Sequence, residues 1–276
     1  MAKIIVSKAR ASEPAALAGD ALPQERQQLI LQRLRSQGRV VAVELSAEFE
    51  VSEDSIRRDL RELAAQGLCK RVYGGALPLS AIAAPLKQRR GEHTGRKQAL
   101  ARKAVMLVRQ GQILLMDAGS TNAAIAAALP ERFGLTVVTN APDIAQILLE
   151  REGFEILLIG GRIDARIGAA VGAQALQEVQ RVRADLCFPG ACAIAADSGL
   201  WGFDSEEVLL KRAMIEASGE TAIVVTSDKL GTVATHRVAP LEDVQHLVLE
   251  HNVDRAARAA FTARGVTVHR AEAVSE

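Results

Sequence analysis

Two periodicities divide the chain. Between Gln24 and Gln66 the apolar positions recur at helical spacing. Gln24–Ser36 carries Leu29, Ile30, Leu31 and Leu34 and stops at Gly38, which predicts a first helix. A second, over Ala42–Phe49, sets Leu45 and Phe49 four apart on one face. Val51-Ser52 makes a turn, and a third helix runs from about Glu53 to Gln66 with Ile56, Leu60 and Leu63 in one core-facing stripe. Arg58 and Arg61 project from its opposite side, flanked by Arg57. Ser52 is a good N-cap, and Glu53 and Asp54 suit the positive helix end. From Gln112 onward the pattern changes. Strand-like runs (QILLMD, TVVT, EILLIG, DLCFPG, TAIVVT, HLVLE, VTVH) alternate with helical segments, including Asn122–Leu129. That alternation predicts an α/β fold around a mainly parallel sheet.

Composition sharpens the division. With 276 residues, 49% hydrophobic and 24% charged, the chain can bury a real core, and wholesale disorder is excluded. Aromatics at 3% count against a protein that stacks single-stranded bases. The net charge of +1 conceals segregation: residues 80–109 hold eight basic side chains against Glu92 alone, whereas residues 110–276 are net acidic. The expected organisation is a flexible arm (1–21), a helical domain (22–79), a basic linker (80–95) and an α/β domain (96–276). The basic joint reads equally well as a solubilising hinge or as a neutraliser of phosphates. Cys69, Cys187 and Cys192 are too scattered for a disulfide framework, and no Cys/His cluster has metal spacing, so no metal or cofactor is expected. The N-terminus lacks a signal-like apolar run, and stretches such as Ala123–Leu129 are too short to span a bilayer. A cytoplasmic protein without membrane partners is expected.

Two helices joined by a short turn, the second presenting arginines, suit a helix-turn-helix that reads double-stranded DNA. The bland alternative is a solvated helix whose arginines pair with Asp59 and Glu62. The residues after the third helix shift the balance: Lys70, Arg71 and Tyr73 lie on a strand-like stretch turning at Gly74-Gly75. The whole stretch SEDSIRRDLRELAAQGLCKRVYGGA resembles the DNA-binding signature of the DeoR-type bacterial transcriptional regulators. The resemblance implies a winged helix-turn-helix, with Val40–Asp59 as the helix-turn-helix and Lys70–Ala76 as the wing. It implies DNA contacts from Ser52, Ser55, Arg57, Arg58, Arg61, Lys70, Arg71, Tyr73, Gly74 and Gly75. One departure is Val41, where the family carries a Ser or Thr cap; its absence costs about 1 kcal/mol of helix stability.

In the rear part, Asp117-Ala118-Gly119-Ser120-Thr121 joins a strand end to a helix start, an arrangement suited to an anion through free N–H groups, the helix dipole and hydroxyls. Its bland alternative is a simple helix cap. Other polar strand ends are Asn140, Gly160-Gly161 and Thr226–Lys229, and Gly199–Asp204 leads into a helix carrying Glu207 and Lys211. Over roughly 96–252 the chain resembles the DeoR-type sensor domain, a Rossmann-like α/β fold similar to ribose-5-phosphate isomerase. The resemblance implies an effector site for a phosphorylated sugar or related metabolite, drawing on Asp117, Gly119, Ser120, Thr121, Asn140, Gly160, Gly161, Lys211 and Lys229. The isomerases carry an acidic loop where this chain has Gly190-Ala191-Cys192-Ala193-Ile194, so a binding pocket rather than an enzyme is expected. The implied protein is a repressor of a sugar-metabolism operon, working as a dimer or tetramer. The rivals are an isomerase-like enzyme with an accessory helical domain, and a DNA binder whose rear part serves only oligomerisation.

Overall fold

The computed structural model describes residues 22–37, 40–66, 68–72, 74–78, 86–232 and 234–273. The expected arm, Tyr73, the Lys70 side chain and residues 79–85 lie outside this set. Chain contacts divide the molecule into two units, residues 1–78 and 79–276.

In the first unit, α1 (Pro23–Gln37), β1 (Val40–Val41), α2 (Ala42–Glu48) and α3 (Glu53–Ala65) precede the hairpin β2 (Cys69–Val72) and β3 (Gly75–Pro78). The three strands form one antiparallel sheet, ordered β1-β3-β2. The stripe Ile56, Leu60, Leu63 is buried against Ile30, Leu34, Leu45 and Phe49, as its spacing requires. Ser52 caps α3 by accepting from the Ser55 N–H, whereas Val41 begins α2 with no side-chain cap. Gly75 permits the close approach of β1 to β3, since a Cβ there would lie 2.0 Å from the Val40 carbonyl oxygen.

The second unit begins with α4 (Leu86–Gly91) and α5 (Thr94–Ala104), then β4 (Ile113–Met116), α6 (Ser120–Ala128), β5 (Leu135–Thr139), α7 (Pro142–Leu149) and β6 (Phe154–Leu158). The hairpin β7 (Arg162–Asp164)–β8 (Ala169–Val171) leads to α8 (Ala173–Val179) and β9 (Ala184–Phe188). Next come β10 (Ala193–Ala195), β11 (Gly199–Gly202), α9 (Ser205–Glu216), β12 (Ser218–Val224), β13 (His236–Ala239), β14 (His246–Leu249), α10 (Arg255–Thr262) and β15 (Thr267–Arg270). Seven parallel strands build the main sheet in the order β15-β14-β12-β9-β4-β5-β6. All seven correspond to the apolar runs in the sequence, so the expected α/β class holds. Two small additions went unforeseen: the β7–β8 hairpin and an antiparallel sheet β10-β11-β13. Their strands are three or four residues long and rich in Ala and Gly, too short to show alternation.

The basic joint also differs from a bare hinge. Within it Leu86 is buried and its N–H donates to the Arg166 carbonyl. Arg90 pairs with Asp143 at 2.6 Å, Arg96 with Glu250, and Arg109 with Glu220 at 3.2 Å, so three of its cations meet carboxylates of their own unit. Among the described residues no helix is long and apolar enough to cross a membrane.

Strand order determines where a ligand can sit. From β4 the chain winds one way through β5 to β6; from β9, its other neighbour, it winds the opposite way through β12 and β14. Helical connections that diverge from adjacent parallel strands leave a crevice beyond their carboxyl ends. Here those ends are Met116-Asp117 and Phe188-Pro189-Gly190.

Candidate functional site

The first candidate surface is the exposed side of α3. Asp59 is buried and accepts from Arg26 Nε at 2.6 Å and Gln27 Nε2 at 3.3 Å; Glu62 accepts from Gln27 Nε2 at 2.7 Å. Both carboxylates are thus engaged by α1, which removes the reading in which they pair with the α3 arginines. Arg57 reaches back along its own helix to Glu53 at 2.7 Å. Arg58 and Arg61 are exposed and make no hydrogen bond or ion pair with any described residue, and Arg71 on β2 is likewise exposed and unpaired among them. The Ser52 and Ser55 hydroxyls lie 3.0 Å apart at the start of α3. The hairpin turn at Gly74 has φ +81°, a left-handed conformation suited to glycine. The surface therefore offers guanidinium groups, unpaired among the described residues, in the same unit as a capped helix start.

The second candidate lies in the switch-point crevice. Asp117, 2% exposed, receives three hydrogen bonds: from Lys211 Nζ at 2.5 Å, the Gly190 N–H at 2.9 Å and Asn140 Nδ2 at 3.2 Å. Lys211, on α9, also donates to Glu207 Oε1 at 2.6 Å. Burial alone would depress the Lys211 pKa, but Asp117 and Glu207 outweigh it and hold the ammonium above the ordinary lysine value. Asn122 Nδ2 ties the two strand ends together through the carbonyls of Asp117 (2.8 Å) and Phe188 (2.7 Å). Gly190 must be glycine, because a Cβ would stand 2.7 Å from the Ala118 carbonyl oxygen and 2.8 Å from Asp117 Oδ2.

The remaining expected residues surround this cluster. Helix α6 begins at Ser120 with Gly119 as N-cap, two residues before the expected start, and no side chain caps it. The Ser120 and Thr121 hydroxyls therefore do not serve as the cap, and they bond no described residue. Asn140 also touches the Ala170 carbonyl at 3.4 Å, and Gly161 packs beside Val171 and Ala175. The Gly160 N–H is taken by Glu178 at 3.0 Å. Lys229 donates to the Ala191 carbonyl at 2.9 Å, and burial lowers its pKa, opposed by Cys192 and Asp228. The resemblance places Lys211 in an effector site for a phosphorylated ligand. Instead two carboxylates hold it, so its charge is already balanced by its own protein. The expectation of no carboxylate around the 190–194 loop also needs correction: that loop has none, but Asp117 and Glu207 reach the place from β4 and α9. Cys192 is buried and its thiol is pushed up to about 11, which suits a packed residue rather than a nucleophile.

Two family models match the chain: a DeoR-like helix-turn-helix domain over residues 26–81 and a DeoR C terminal sensor domain over residues 92–251. Among curated relatives, the glycerol-3-phosphate regulon repressor of Escherichia coli (strain K12) is 38% identical over 203 residues, 73% of this chain and 81% of that one. The HTH-type transcriptional regulator GlpR of Haloferax volcanii is 34% identical over 250 residues, 90% of this chain and 97% of that one. Among solved structures, ribose 5-phosphate isomerase A from Methanocaldococcus jannaschii aligns over 50% of this chain and 55% of its own, at 16% identity and a TM-score of 0.37, a likeness too slight to carry an argument.

Proposed function

Because the chain belongs to the DeoR family of transcriptional regulators, we propose that it represses an operon of sugar or polyol phosphate metabolism and leaves its operator when a phosphorylated metabolite fills the switch-point crevice. The observation that carries the DNA half is the exposure of Arg58 and Arg61 on α3, free of partners among the described residues. Their guanidinium groups suit guanine edges and phosphates in a major groove, with Arg57, Ser52 and Ser55 at the helix start. The DNA contacts proposed for the wing are those of Lys70, Arg71, Tyr73, Gly74 and Gly75. Two-fold operators call for paired recognition helices, so the active form is a homodimer or a tetramer in the cytoplasm.

For the sensor half, Asp117, Gly119, Ser120, Thr121, Asn140, Gly160, Gly161, Lys211 and Lys229 form the effector site or its walls. The phosphate goes to the start of α6, where the first N–H groups lack partners within the helix and the Ser120 and Thr121 hydroxyls are unengaged among the described residues. By linkage, an inducing ligand binds more tightly to protein off DNA than on it. Gel-shift titrations of operator complexes with a panel of sugar and polyol phosphates test this. Operator affinity that stays constant across the panel removes the sensor reading.

One observation favours a second reading. Asp117, Glu207 and Lys211 form an acid–base cluster in the crevice, as an isomerase requires. The hydrogen bonds argue for binding instead: Asp117 is held by donors from Lys211, Gly190 and Asn140 and so serves as a fixed anchor of the crevice. Turnover of ribose 5-phosphate that vanishes in Lys211→Ala would reverse this conclusion.

A further inference from the structure

Asn140 carries a buried acceptor that no described residue satisfies. The side chain is 1% exposed, and its Oδ1 is the buried side-chain polar atom without a hydrogen-bond partner among the described residues. A flipped amide does not cure it. Nδ2 faces Asp117 Oδ1 and the Ala170 carbonyl, both of which only accept, so the nitrogen must occupy its present place and the oxygen must point away. A buried acceptor without a donor costs free energy, and native proteins keep such an atom mainly where water or a ligand satisfies it.

The neighbouring chemistry narrows what that donor is. Asp117 and Glu207 both accept from Lys211, and the group that Asn140 meets in this cluster is the Asp117 carboxylate, itself an acceptor. A phosphate dianion brings only acceptor oxygens and so has nothing to donate to Oδ1. A hydroxyl, by contrast, donates to Oδ1 and can accept in return. Three residues along the same loop from Asp117 the polarity reverses, with the α6 N-terminus and two unengaged hydroxyls.

Resting on the sensor reading, we propose that Asn140 Oδ1 is the acceptor for a hydroxyl of the effector, so that the ligand lies with its phosphate at Ser120-Thr121 and its hydroxylated carbon over Asn140. Asn140 then sets specificity: it distinguishes hydroxylated phosphate esters from simple alkyl phosphates, while the α6 end supplies the affinity common to both. An ester lacking the hydroxyl leaves Oδ1 as it is in the empty protein and gains nothing there.

Calorimetry on the full chain tests this with a panel of three- to six-carbon polyol and sugar phosphates, propyl phosphate and inorganic phosphate. The wild type is expected to bind at least one hydroxylated ester about tenfold or more tightly than propyl phosphate. In Asn140→Ala that ratio falls toward one, chiefly through loss of affinity for the hydroxylated ester, with propyl phosphate affinity nearly unchanged. If the variant does not fold, the wild-type ratio still decides, because equal affinities overturn the proposal without any mutant. A ratio preserved in Asn140→Ala, with both affinities lowered together, assigns Asn140 a structural role and overturns the specificity role alone. Absence of binding by every ester in the panel overturns the sensor reading and this inference with it.

Discussion

Lys211→Met is the sharpest probe of the crevice. The substitution keeps an unbranched apolar stem on α9 and deletes the ammonium that lies 2.5 Å from Asp117 and 2.6 Å from Glu207. Deleting one member of a buried ion pair costs about 3–5 kcal/mol, because the partner charge stays behind without compensation. Asp117 keeps its bonds from Gly190 and Asn140, and Glu207 is nearer the surface, which places the loss toward the lower end of that range. For a domain of this size each kcal/mol lowers the melting temperature by about 2–4 °C, so a fall of about 6–15 °C is expected at neutral pH. Trp201 on β11 is the molecule's single tryptophan and lies in the second unit, so its fluorescence follows that unit without contribution from the helix-turn-helix. The pH dependence gives a second check. In the wild type the folded-state pKa of Lys211 is raised, so its contribution is complete below the ordinary lysine value and is lost only as pH rises through the elevated one. In the variant a buried carboxylate is left without its counter-charge, a penalty that is relieved when the group is neutral. The gap between variant and wild type must therefore narrow as pH falls from 7 toward 5. A melt within 2 °C of wild type at pH 7, or a gap that widens on acidification, would falsify the buried-pair account.

Three other perturbations separate the two halves. Arg58→Ala with Arg61→Ala is expected to weaken operator binding by tenfold or more and flatten its salt dependence, with ligand binding unchanged; a gel shift equal to wild type would move the recognition face elsewhere. Ser120→Ala with Thr121→Ala should leave operator affinity intact while dulling release by the effective sugar phosphate, measured by adding the ligand to preformed complexes. Gly75→Ala forces a Cβ to within 2.0 Å of the Val40 carbonyl oxygen, so the β1–β3 pairing must open. A loss of about 1–3 kcal/mol in the first unit is expected, seen as faster amide exchange at Val40–Val41, whereas native protection there would show that the wing tolerates the side chain.

Elements defined by near neighbours in sequence were legible before any coordinates. Ile56, Leu60 and Leu63 lie within two turns of one helix, Ser52 caps the residue three places on, and each of the seven parallel strands overlaps one of the strand-like runs. Such patterns repeat over a few residues, so local sterics and burial suffice to write them. The family signature likewise lies in one unbroken stretch, and the passage from a strand end to a helix start at Asp117–Thr121 was legible because the two are consecutive there. Tertiary structure decided the rest. Arg26 meets Asp59 across 33 residues and Lys211 meets Asp117 across 94, and no periodicity encodes which opposite charges will find each other. The first leaves Arg58 and Arg61 without a carboxylate partner among the described residues, and the second makes Lys211 a held counter-charge; Arg90, Arg96 and Arg109 likewise meet distant carboxylates of their own unit. The isolated oxygen of Asn140 belongs to the same category. Its two donor bonds arise only when β4, β5 and β8 are brought together, and the atom left over is a consequence of packing that the order of residues along the chain does not display.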